Sequence, residues 1–177
     1  MEFDLKKAFK KRRAPEYILW GVIIIVGILL DQGTKLLAVK YLKPIDEVAL
    51  LEGVLHLKFH LNDGAAFGSF SGQPYIFNTL SVIIILGMSF YLFAGHAESK
   101  LAAISSAMVI SGGIGNMIDR IAFGEVTDFI YFKLIDFAIF NGADSFVCVG
   151  AGLLVLALII DVVKEYRKKR GKNEADG

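Results

Sequence analysis

The chain has 177 residues, 55% of them apolar, a single cysteine and a formal net charge of +1. A soluble domain runs nearer about 45–50% apolar, and here the excess is gathered into blocks, which is a membrane pattern. One cysteine excludes an intrachain disulfide and a metal cluster built from thiolates.

Basic residues Lys6, Lys7, Lys10, Lys11, Arg12 and Arg13 precede the first apolar block, and Lys164, Arg167, Lys168, Lys169, Arg170 and Lys172 follow the last. Basic flanks stay on the cytoplasmic side, so both termini are expected there and the number of spans should be even. Topology thus accounts for the basic runs, and no nucleic-acid partner is expected. The first predicted span covers residues 17–39. Its apolar run is too long for a cleavable signal peptide, and Asp31-Gln32-Gly33-Thr34-Lys35 stands where a small-residue cleavage site would be needed.

The connection 40–74 contains Leu55, Leu57, Phe59 and Leu61 alternating with His56, Lys58 and His60. Period-two alternation predicts a short strand with one apolar face, lying over the helix tops or on the lipid interface. Residues 75–94 form an uncharged second span. The third, 101–121, is rich in small residues, including Ser105, Ser106, Gly112, Gly113 and Gly115, which let neighbouring helices approach or clear space for a substrate. The next connection, 122–142, is dense in aromatics, which collect at the headgroup level. The fourth span, 143–163, opens on Asp144 and contains Cys148, read as packing filler. The expectation is an all-α membrane protein: one integral-membrane domain of four transmembrane helices with a small strand-rich element outside the membrane.

Polar residues cluster at the span ends. Asp31 and Lys35 are four apart near the end of the first, and Asn116 and Arg120 share a face at the end of the third, with Asp119 beside them. Asn62-Asp63-Gly64 offers polar groups before a run of small residues. Asp128 and Asp144 lie sixteen positions apart, each beside a long apolar run. An ionisable group at such a boundary is costly to keep and is a functional-site hypothesis by default.

Five motifs then occur in order: Asp31-Gln-Gly-Thr-Lys35, Asn62-x-Gly-Ala-Ala-Phe-Gly68, Gly112-Gly-x-Gly-Asn-x-x-Asp-Arg120, Val126-Thr-Asp-Phe129 and Phe140-Asn-x-Ala-Asp-Ser145. Together they resemble the motif series of bacterial lipoprotein signal peptidase (signal peptidase II) across roughly residues 17–163. The resemblance implies that Asp128 and Asp144 are catalytic and that Asn62, Asn116, Arg120 and Asn141 support them. Asp31, Lys35, Gly64 and Asp119 are further motif positions. It also implies a four-helix bundle in the bacterial inner membrane with its active site at the outer face, and sensitivity to globomycin. Its substrates would be prolipoproteins, cut on the N-terminal side of a diacylglyceryl-cysteine, with membrane lipid as the other partner and a monomeric enzyme. Thr127, Tyr131 and Gly142 depart from the family's usual residues.

With no Ser–His or Cys–His pair and no metal ligands in the pattern, peptide hydrolysis leaves water activation by paired carboxylates, and no cofactor is expected. Two neighbouring acids cannot both ionise cheaply, so one keeps a proton. The ionised member takes a proton from water while its neutral partner donates to the scissile carbonyl. The competing reading is a small proton- or ion-coupled transporter. That would place polar groups across the full depth of the membrane, whereas these acids gather at one boundary.

Overall fold

The computed structural model describes residues 13–63 and 74–175, with side chains over 13–63 and 78–171. Four helices are present among them. Helix α1 (Ala14–Leu37) starts with a proline in its first turn, where the missing N–H is harmless, and runs on into a π-helical turn, Ala38–Leu42. Helix α2 spans Pro74–Phe93, α3 spans Lys100–Phe123 and α4 spans Gly142–Ala175. Three stretches are long and apolar enough to cross a membrane: Ala14–Leu42, Lys100–Phe123 and Gly142–Gly171. The described side chains of α2 give a shorter apolar run, Asn78–Phe93.

Helix α3 sits at the centre, packed against α1, α2 and α4. Its composition explains the placement. With a mean hydropathy of 1.6 it is the least apolar of the three long candidates, because its neighbours are protein and its small residues are what let them close in. Added side chains would meet the backbone and side chains of neighbouring helices. A Cβ on Gly112 collides with the Ala143 carbonyl oxygen and Val147, and one on Gly115 meets Asp31 Oδ2 at 2.5 Å. Gly113 faces α2, where Ile85 is the obstacle. Gly112 and Gly115 are therefore packing glycines. The outward sides of α1 and α4 carry exposed Ile25, Leu29, Val155 and Ile159. Cys148 is exposed on α4 rather than packed inside the bundle, which corrects its reading as filler.

Strands β1 (Glu47–Leu51), β2 (Leu55–Asn62) and β3 (Val126–Tyr131) form an antiparallel sheet in that order. The alternating segment is β2, but its faces are not cleanly divided. His56 is buried with Nδ1 2.6 Å from Glu47 Oε1, while Leu61 is exposed. The carboxylate on β1 gives the histidine a polar partner that the alternation alone could not show.

Gly142, the first residue of α4, is a different kind of glycine: an added Cβ would lie 3.6 Å from Asp31 Oδ1, an ordinary contact. Gly142→Ala is expected to be neutral or to stabilise by up to about 1 kcal/mol. Gly112→Ala should destabilise by about 1–3 kcal/mol, through overpacking against α4. Thermal unfolding of the two purified variants in detergent checks the contrast.

Candidate active site

The third strand and the start of α4 are brought together by backbone pairing. Phe129 and Ile130 N–H groups both donate to the Phe140 carbonyl, at 3.0 and 2.8 Å, and Phe140 N–H donates back to Ile130 at 3.0 Å. This bridge lays Asn141 beside Asp128. On the other side, β2 pairs with β3 so that Asn62 stands opposite Val126. Side chains two apart on a strand share a face, and Asn62 Nδ2 donates to Asp128 Oδ2 at 2.8 Å.

Asn141 then does two jobs. As the residue before α4 it closes a capping box with Asp144. Its side-chain oxygen accepts from Asp144 N–H at 3.0 Å, and its own N–H donates to Asp144 Oδ2 at 3.1 Å. Its amide nitrogen meanwhile donates to Asp128 Oδ1 at 2.6 Å and to Asn116 Oδ1 at 3.0 Å. One residue thus holds both carboxylates. Asn116 completes the frame, with Nδ2 donating to Asp144 Oδ1 at 2.7 Å. Every oxygen of the pair accepts a hydrogen bond, three from asparagine side-chain amides and one from a backbone N–H.

Behind these groups lies a buried ionic cluster. Lys35 Nζ reaches Asp31 Oδ2 at 2.8 Å, Asp119 Oδ2 at 3.1 Å and Asn116 Oδ1 at 2.9 Å. Asp31 Oδ1 accepts the N–H of Ala143 in the first turn of α4, where a carboxylate also meets the positive end of the helix. Asp119 Oδ2 accepts the Thr127 N–H at 3.2 Å, tying α3 to β3. Gln32, which no pattern in the sequence singles out, joins the cluster: its amide donates to Asp119 Oδ1, Gly115 O and Asp31 Oδ2 at 2.9, 3.1 and 3.2 Å. Its place beside Asp31 in the first motif was the one available signal.

Arg120 and Asp144 line a cavity of about 180 Å³ with Asn116, Gly113, Val109, Val147, Ser81 and Ile84. Gly113 borders this space, which gives it a role that Gly112 lacks. Among the expected site residues, Asp31, Lys35, Asn62, Asn116, Asp119, Arg120, Asp128, Asn141 and Asp144 all fall in this region. Gly64 lies outside the described residues.

Burial pushes the Asp128 carboxyl up to about 7. The charge of Asp144 adds to the rise, while the amides of Asn62 and Asn141 and the Lys35 ammonium oppose it. An acid whose folded pKa is raised keeps its proton in the fold at pH values where the unfolded chain has lost it. Stability should therefore fall as pH climbs from about 4 to about 7 and level off above. Asp128→Asn removes the Asp128 share of this dependence, so its melting temperature should gain on that of the unsubstituted protein across the same window. A constant difference between the two across that window would contradict the assignment.

A bundle of long apolar helices with two amide-clamped carboxylates near one end presents a candidate active site at a membrane boundary. Comparison with known proteins narrows it. Residues 23–160 match the family model described as "Signal peptidase (SPase) II". A lipoprotein signal peptidase of Halalkalibacterium halodurans is 40% identical over 88% of this chain and 99% of that protein, and one of Clostridium tetani is 39% identical over 83% and 96%. A solved bacterial membrane enzyme aligns with a TM-score of 0.75 at 31% identity, covering 81% of this chain and 89% of the other. The chain belongs to the signal peptidase II family and is a membrane peptidase by that membership.

Proposed function

We propose that the protein is an aspartic endopeptidase that removes signal peptides from diacylglyceryl-modified prolipoproteins, cutting on the N-terminal side of the lipidated cysteine. The observation that carries this reading is Asn141, which donates to a carboxylate oxygen of Asp128 and of Asp144 at once. Amides that donate to carboxylates keep them ionisable despite burial, and two like charges held by one residue favour sharing a single proton. The ionised member removes a proton from water as it attacks the scissile carbonyl. The protonated member donates to the carbonyl oxygen, and the proton later passes to the leaving amine. The pair titrates as a unit, so neither aspartate is assigned a fixed role.

The remaining residues follow from their places. Arg120 faces the cavity beside Asp144 and is a positively charged donor for substrate carbonyls, while Asn62, Asn116 and Asn141 hold the pair. Helix α2, at 20 residues, rises about 30 Å and makes a fourth crossing within a single integral-membrane domain. Both termini then face the cytoplasm, with the aspartates at the outer boundary of the bacterial inner membrane. An acyl-anchored precursor, confined to the bilayer plane, reaches the pair sideways, and the enzyme works as a monomer.

Release of a free signal peptide from a purified diacylglyceryl-cysteine precursor, blocked by globomycin, tests the reading. Intact precursor after incubation with folded protein would refute it. In the same assay kcat/KM should form a bell. Its alkaline limb falls about tenfold per pH unit above about 7, where the shared proton is lost, and its acid limb falls where the second carboxylate protonates. A profile flat through pH 9 would exclude a shared proton.

A further inference from the structure

We infer that Lys35 is a positioning residue for the aspartate pair, acting through the amide of Asn116. The inference deepens the peptidase reading and rests on it. An asparagine amide can turn over and exchange its oxygen for its nitrogen, and only one orientation serves this site. An ammonium has donors alone, so Lys35 Nζ at 2.9 Å accepts no orientation but the one with Asn116 Oδ1 towards it. Asn116 Nδ2 is then forced to the far side, where it donates to Asp144 Oδ1 at 2.7 Å. The same oxygen also takes the Asn141 amide at 3.0 Å, so that Asn141 keeps its other N–H on Asp128 Oδ1. Lys35 therefore sets one donor on each aspartate without touching either.

Lys35 is itself held. Asp31 at 2.8 Å and Asp119 at 3.1 Å take its other hydrogens, and its side chain is 4% exposed. Two acids balance the charge of the ammonium, and its third N–H still needs an acceptor in so buried a place. That acceptor is the Asn116 amide, which reaches the reacting carboxylates, and this choice is what couples the cation to them.

A double-mutant cycle between Lys35→Met and Asn116→Ala, read in kcat and KM on a diacylglyceryl-cysteine precursor with the full chain in detergent, tests this. Lys35→Met alone should lower kcat about 100-fold with KM changed less than about threefold. In the Asn116→Ala background the same substitution should change kcat by less than about threefold, because the amide it acts through is gone. Equal loss in both backgrounds, a change confined to KM, or a kcat near that of the unsubstituted enzyme would overturn the inference. Lys35→Met leaves Asp31 and Asp119 uncompensated, so the cycle is repeated with Asp119→Asn present. Low kcat should persist there, and recovery would show that Lys35 only balances charge. A fully active Asp144→Asn enzyme would instead refute the aspartate pair, a separate failure from additivity at Lys35 and Asn116.

Discussion

Asp128→Asn and Asp144→Asn should each lower turnover of a lipid-modified precursor by at least about 10³-fold while leaving the protein inserted and folded. Each substitution exchanges a carboxylate for an amide of nearly the same shape, so packing survives. What is lost is the group that takes the proton from water or returns it to the carbonyl, and positioned acid–base groups are worth roughly 10²–10⁴ in rate apiece. The two act as one device, so the double variant should be scarcely slower than either single one. The asparagine at 128 would face the amide nitrogens of Asn62 and Asn141, one on each former oxygen. One of those donors then loses its acceptor, a small local penalty against the relief of removing a buried acid. Turnover of either variant within tenfold of normal would remove that aspartate from the mechanism.

Asp31→Ala should destabilise the protein by about 3–5 kcal/mol. Breaking a buried ion pair strands the other charge, here Lys35, which keeps Asp119 but loses its nearest carboxylate. The same change strips the Ala143 N–H of its acceptor at the start of α4, and an unmatched buried donor adds to the loss. Chemical or thermal unfolding in detergent gives the figure. A change below about 1 kcal/mol would mean that the cluster is solvated in the membrane protein and does not bind α1 to α4. The contrast with an exposed pair of the same spacing is large, since exposed i,i+4 pairs contribute only a few tenths of a kcal/mol.

Much of this site could be read from the chain, because its residues were expensive to keep. Acids and amides at the ends of apolar runs stand out when the surrounding composition is so uniform. The helices followed from block length, and β2 from its alternation. Partners across the fold could not be read in that way. Asp31 lies 112 positions from the Ala143 N–H it accepts, and no local pattern encodes that distance. Gln32 escaped for the same reason, since its three acceptors lie on two helices. The burial of His56 was not legible either, because alternation describes a strand's own faces and not the glutamate on the strand beside it. The span ends also shifted: α1 continues through a π-helical turn to Leu42, and α4 runs on to Ala175. Polar residues at a helix end do not stop a helix that the aqueous boundary can solvate.

The pair's chemistry is most directly tested by a single turnover with enzyme in excess in ¹⁸O-labelled water, followed by mass analysis of the product and of the enzyme's own peptides. Water activated between Asp128 and Asp144 places one label in the new carboxylate of the released signal peptide and none in either aspartate. Label recovered in Asp128 or Asp144 would mean that a carboxylate attacked the substrate and formed an anhydride, and the shared-proton account would be wrong.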